Sequence, residues 1–262
     1  VRVHFIAELG LNHNGDIDRA LALVRAAKTA GFDAVKLQYW RVDKLYRPGS
    51  ISDQRREWLR SFEVPTAWLD IVRDAAHAAG LELVVSVCHV DDVETVARYA
   101  DALKVGSYEL LCHDLIRACA ETGKPLYISC GAGATDDEID DAVLEAGGGR
   151  MFHCSSSYPT PAHAVCLEEC DGYSDHSLCS GVVHRAIWEF SARFVELHFG
   201  LGDGQDSEPS VSWSPFNAVQ LIADVRDGEV AAGGTRVDMH ERAWRTDPSD
   251  GMRPMLGDEA PK

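Results

Sequence analysis

The chain has 262 residues, 45% of them hydrophobic, and a formal net charge of −17. That composition supports one large α/β domain or two small ones, while the acidity disfavours nucleic acid and anionic membranes as partners. An anionic ligand would need the few basic residues gathered in one cleft, so each lysine in an apolar context is informative.

No apolar run approaches the roughly 18–20 residues that span a bilayer, and no signal peptide is expected. A cytoplasmic location is the expectation. Cys88, Cys112, Cys119, Cys130, Cys154, Cys166, Cys170 and Cys179 lie in apolar runs without CxxC spacing. They read as buried free thiols in a reducing compartment.

Short apolar or β-branched runs alternate with amphipathic stretches along the chain. The expected strands are "VHFIAEL" (3–9), "DAVKLQY" (33–39), "LELVVSV" (81–87), "DALKVGS" (101–107), "PLYISC" (125–130), "RMFHCSS" (150–156), "DGYSDH" (171–176) and "RFVELHF" (193–199). Between the first two, "DIDRALALVRAAKTAG" puts Ala20, Leu23, Val24 and Ala27 on one helical face, with Gly31 as the stop. "TAWLDIVRDAAHAAG", "DDVETVARYA", "HDLIRACAETG", "TDDEIDDAVLEAG", "CSGVVHRAIWEFSA" and "SPFNAVQLIADVRDG" supply later helices. After strand six the helical candidate, "TPAHAVCLEEC", is short and carries Pro161.

Eight such βα units predict an α/β fold, a single (β/α)8 TIM barrel, over residues 1–232, with a partly irregular tail over 233–262. The structural rival, a doubly wound open sheet, would carry a glycine-rich phosphate turn after strand one. "ELGLNHNG" has Gly10 and Gly15 but no GxGxxG.

Function in a barrel sits at the C-terminal strand ends. Standing there are Glu8, Lys36, Gln38, Ser86, Lys104, Ser107, Ser129, Ser156, Tyr158, Ser174, His176 and His198. Charged groups in strand cores cost several kcal/mol unless paired or bound to something, so a ring of them marks a site. Strands seven and eight are neighbours in a barrel, which makes His176 and His198 face each other. Two imidazoles with open positions suit Mn2+, Fe2+, Zn2+ or, less well, Mg2+. Asp175 either orients the His176 ring or is a surface loop residue. Lysines with hydroxyls make a phosphate cradle. Glu8 is a general acid–base candidate, or else the partner of a structural salt bridge to Lys36.

These motifs resemble the sialic acid synthase (N-acetylneuraminate synthase) family. The likeness runs from "FIAELGLNHNGDIDRALALVRAAKTAGFDAVKLQ" through "LKVGSYEL", "TGKPLYISCGAGATDDEI", "HCSSSYPTP" and "GYSDHS" to "ELHF". The resemblance implies condensation of phosphoenolpyruvate with a sugar aldehyde to give a 2-keto-3-deoxy sugar acid and phosphate. It implies Glu8 as the catalytic glutamate, and Lys36, Lys104, Ser107, Ser129, Ser156 and Ser174 as holders of phosphoenolpyruvate. Gln38 and Tyr158 fall on the sugar side. His176 and His198 become ligands of a divalent metal ion, usually manganese or magnesium. A homodimer is also among the implications.

Three departures stand out. Val87, Cys88 and His89 replace a Thr-Pro-Phe run after strand three, which would remove one phosphate or pyruvyl contact. "QDSEPSVS" replaces the "GPDxxxS" whose aspartate contacts the sugar. Its counterpart is Asp206 if Ser210 is the anchor, and Glu208 if Ser212 is. The family's C-terminal antifreeze-like domain, which supplies an arginine to the partner subunit's sugar, is expected to have no counterpart in the tail over 233–262. Arg236, Arg242, Arg245 or Arg253 would substitute for that arginine or remain solvated. Two rivals remain: a Schiff-base pyruvate aldolase using Lys104 or Lys36, and a non-catalytic sugar-phosphate-binding barrel.

Overall fold

The structure, a computed structural model, describes residues 2–233. The expectations for the tail, including Arg236, Arg242, Arg245 and Arg253, lie outside the described residues. Residues up to Arg226 form one compact unit.

Eight parallel strands close into a barrel in chain order: β1 (His4–Glu8), β2 (Ala34–Tyr39), β3 (Glu82–Val87), β4 (Ala102–Val105), β5 (Leu126–Ser129), β6 (Arg150–Cys154), β7 (Gly172–Asp175) and β8 (Phe194–His198). Each falls within its expected run, and the open-sheet rival is excluded by the pairing of β1 with β8. The helices among the described residues are α1 (Ile17–Ala30), α2 (Val42–Leu45), α3 (Asp53–Arg60), α4 (Thr66–Ala78), α5 (Val93–Ala97), α6 (His113–Glu121), α7 (Asp136–Ala146), α8 (Ser180–Trp188) and α9 (Pro215–Gly233). None of them is long and apolar enough to cross a membrane.

Local chemistry accounts for their ends. Asp16 caps α1 by accepting from the Asp18 amide, and Gly31 ends it at φ 93°, where an L side chain would be strained. Thr135 and Glu138 form a reciprocal capping box at the start of α7. After β6 the expected helix does not form. Residues Ala162–Ala164 make only one 3-10 turn, because Pro159 and Pro161 each remove a backbone donor and restrict the residue before them. Two short helices that no apolar periodicity announces, α2 and α3, lie between β2 and α4. Their Val42 and Leu59 join Trp40 and Phe62 in a small separate cluster against Leu11 and Cys88.

Side chains alternate along each strand. Phe5, Ala7, Val35, Leu37, Val85, Val87, Leu103, Ile128, Val195 and Leu197 face the helices and form the main core. Ile6, Ala34, Val84, Ala102, Tyr127 and Phe152 face the lumen and plug its lower part. Gly172 on β7 makes room for this plug, since a Cβ there would meet the Phe152 ring at 2.8 Å. The polar site begins one inward-facing layer above the plug. Burial of the cysteines is uneven: all eight are free, Cys119 and Cys154 are buried, Cys88, Cys130, Cys170 and Cys179 are half-buried, and Cys112 and Cys166 are exposed, against the expectation of buried thiols.

Candidate active site

The inward layer above the plug is ionic. Lys36 Nζ lies 2.6 Å from Glu8 Oε2 and 3.0 Å from Glu196 Oε1, and Lys104 Nζ lies 2.8 Å from the same Glu196 oxygen. All four side chains are buried. Ser174 Oγ donates to Glu196 Oε1 at 2.9 Å, and the Gly10 amide donates to Glu8 Oε1 at 2.6 Å. Register explains the grouping: Glu8 pairs with Lys36 on β2 and with His198 on β8, and Ser174 pairs with Glu196.

Burial pushes the Lys36 ammonium down to about 8, with Glu196 opposing the shift and Lys104 adding to it. Burial by itself would raise the Glu196 carboxyl, but Lys104 and Lys36 overcome it and hold the group well below the usual carboxylate range. Glu196 was not among the residues singled out in the sequence. It stands two residues before His198, so the strand's period already aims it inward.

His176 and His198 face each other with ring centroids 5.3 Å apart, and the Tyr158 ring lies tilted 4.1 Å from the His176 ring. His176 Nδ1 lies 2.5 Å from the Ser155 carbonyl. A carbonyl only accepts, so Nδ1 carries the hydrogen and Nε2 the free lone pair. Burial, then the neighbouring His198, lowers His176 to about 4 and keeps it neutral. This donor chemistry, two facing imidazoles with open positions, fits a divalent cation. Among the described residues no group of three or more His, Cys, Asp or Glu side chains is arranged to hold a metal ion. The two histidines would therefore leave most coordination positions to substrate oxygens or water.

Hydroxyls gather on the β4–β6 side. Ser129 is buried, Ser107 Oγ lies 3.0 Å from Cys154 Sγ, and Ser156 Oγ accepts from the Ala132 amide at 2.7 Å. Gly131 lets the loop backbone approach them: a Cβ there would lie 2.9 Å from Ser107 Oγ and 2.5 Å from Cys154 Sγ. Gln38 on β2 is half-buried and pairs in register with Ser86 on β3. Val87 packs outward into the main core, so its side chain does not face the mouth.

One expectation is corrected. Asp175 neither orients His176 nor lies in a surface loop. It is fully buried, accepts from the Tyr173 hydroxyl, Ser177 and the Leu178 amide, and takes Trp213 Nε1 at 3.0 Å. As the last residue of β7 it points away from the lumen, opposite to His176. Of the two open alternatives for the loop carboxylate, Asp206 is engaged within its own loop. Arg19 Nη2 donates to it at 2.7 Å, and the Leu201 and Gly202 amides bind it in its own loop.

Glu208 is the loop carboxylate that arrives at the site. Its Oε2 accepts from the Leu11 amide at 2.8 Å and lies 3.5 Å from His198 Nδ1. The "LNHNG" segment, also unassigned in the sequence, holds that loop. Buried Asn12 donates to the Phe199 carbonyl and to Ser212 Oγ, and accepts from the Glu208 amide. His13 packs edge-on against Trp68 and accepts from the Gly15 amide, a structural role.

Comparisons with known proteins bear on the family and the fold. Residues 23–237 match the NeuB family. A pseudaminic acid synthase of Campylobacter jejuni is 30% identical over 272 residues, covering 93% of this chain and 79% of the relative. An N,N'-diacetyllegionaminic acid synthase of Legionella pneumophila is 27% identical over 259 residues, covering 87% and 72%. The crystal structure of an N-acetylneuraminic acid (sialic acid) synthetase from Leptospira borgpetersenii in complex with citrate superposes with a TM-score of 0.81 at 21% identity, covering 95% of this chain and 93% of that one. At that identity the likeness speaks for the barrel alone. Family match and relatives together carry the assignment: the chain belongs to the NeuB family.

Proposed function

We propose that the protein condenses phosphoenolpyruvate with the aldehyde of a sugar or sugar-like acceptor, giving a 2-keto-3-deoxy sugar acid and phosphate. The observation that carries this reading is the buried Glu8–Lys36–Glu196–Lys104 cluster beside two facing imidazoles in one barrel mouth. Membership of the NeuB family supports it. The reaction balances as phosphoenolpyruvate plus aldehyde plus water. The methylene carbon of phosphoenolpyruvate bonds to the aldehyde carbon, whose oxygen takes a proton. Water adds at the carbon bearing the phosphate oxygen, and that C–O bond then breaks to release phosphate and leave the ketone.

Lys36 and Lys104 would bind the anionic end of the substrate, and Ser107, Ser129, Ser156 and Ser174 would donate hydrogen bonds around it. Glu8, held by the Gly10 amide, would accept and return a proton. Gln38 and Tyr158 stand on the acceptor side. His176 and His198 would hold a divalent cation, which as a Lewis acid would polarise the aldehyde carbonyl.

The test is phosphate release from phosphoenolpyruvate against a panel of N-acylated and unmodified sugar aldehydes, with and without chelator. Acceptor-dependent release that chelator abolishes is the expected result. Borohydride trapping of pyruvate on a lysine, without phosphate release, would replace this reading with the Schiff-base aldolase.

A further inference from the structure

His198 Nδ1 is buried and has no hydrogen-bond partner. The whole residue is 5% exposed. A buried ring nitrogen left without a partner is costly and calls for one. The carboxylate facing it belongs to Glu208, whose Oε2 is 3.5 Å away, just beyond hydrogen-bond length.

Glu208 does not reach that place by chance. The Leu11 amide donates to its Oε2, and Asn12 accepts from its own amide. Gly10 leaves the space it occupies, since a Cβ there would sit 2.1 Å from Glu208 Oε2. The same Gly10 position is 3.4 Å from His198 Nδ1, so backbone, carboxylate and ring nitrogen converge on one spot. The rival carboxylate, Asp206, is drawn off by Arg19 and two amides of its own loop.

We propose that Glu208 is a positioning residue for His198: it accepts the Nδ1 hydrogen, fixes the tautomer, and turns the Nε2 lone pair toward the mouth. His176 receives the same service from the Ser155 carbonyl. The two rings then present the same nitrogen, each locked by an acceptor behind it. Glu208 on this assignment orients a histidine and is not the acceptor-sugar contact. The consequence for metal binding rests on the reading of His176 and His198 given above; the tautomer does not.

Long-range 15N–1H correlation of the imidazoles in the metal-free protein reads the tautomer directly, with His198→Asn identifying the resonance. Wild type should show His198 protonated at Nδ1, Glu208→Ala should shift it toward the Nε2-protonated form, and Glu208→Gln, whose amide oxygen still accepts, should keep it. Calorimetric titration with Co2+ should show affinity about 10- to 100-fold weaker in Glu208→Ala and largely restored in Glu208→Gln. An unchanged tautomer in a folded Glu208→Ala variant overturns the proposal, as does a defect confined to the KM of the acceptor. If wild type binds no divalent cation while the tautomer still responds to Glu208, the metal reading fails and the positioning role stands.

Discussion

Lys104 is the residue whose role is simplest to isolate. Its ammonium meets Glu196 in the free protein and lies 4.6 Å above the Phe152 ring. Replacing it by alanine leaves Glu196 with Lys36 and Ser174, so the barrel should stay folded. Loss of one charge-assisted contact to phosphoenolpyruvate should cost about 1.5–3 kcal/mol, roughly 10- to 150-fold in affinity. Calorimetric titration of phosphoenolpyruvate into Lys104→Ala checks this, and unchanged affinity would take Lys104 out of the anion site. Lys36 adds a pH signature. Burial sets its free-state value at about 8, and a bound anion would hold the proton on to a higher pH. Affinity for phosphoenolpyruvate should therefore fall as pH rises through 8, by at most about tenfold per unit. Titrations between pH 7 and 9.5 should show this slope in wild type and lose it in Lys36→Met.

Among the elements, the pair of loops after β1 and β8 governs the site. Asn12, fully buried, makes two hydrogen bonds that tie "LNHNG" to the loop of Ser207–Ser212 and a third to the Phe199 carbonyl at the end of β8. Asn14, which is exposed, donates to the Gln205 carbonyl and accepts from Ser207. Asn12→Ala should destabilise the protein by about 2–3 kcal/mol, because two acceptors and one amide lose their partner in a dry place. Asn14→Ala should cost less, since its partners meet water. Urea denaturation followed by circular dichroism separates the two, and equal losses would show that the latch does not depend on burial. The loop after β6 behaves differently: its prolines prevent a helix, and the extended path brings Tyr158 over His176.

For the molecule as a whole, charge is distributed unevenly. The formal net charge is −17, yet Lys36 and Lys104 balance Glu8 and Glu196 inside the barrel. Breaking one buried partner out of such a set typically costs 3–5 kcal/mol. A cation bound only by the folded state would add stability through mass action, about 2.7 kcal/mol at a hundred times its dissociation constant. At this chain length that is roughly 5–10 °C in Tm. Mn2+ or Co2+ should raise the thermal midpoint of wild type by this amount and leave His176→Ala unmoved. A wild-type midpoint indifferent to every divalent ion tried would remove the metal from the proposed function.

What the sequence by itself determined is the periodic part. Two-residue alternation and glycine- or cap-bounded helices located all eight strands, and the polar strand ends pointed to the mouth, because both signals are local. Pro161 likewise bore on the missing helix after β6. The partnerships were decided only in three dimensions. Glu196 meets Lys36 because barrel closure brings β8 beside β1, across nearly the whole barrel sequence. Asp175 turned outward because it ends β7 on the face opposite to His176. The choice between Asp206 and Glu208 left both open in sequence, since either spacing fits an anchor serine. Arg19 on α1 takes the first and the Leu11 amide takes the second. Those donors come from the other end of the chain, so no pattern within the loop could have assigned the two carboxylates.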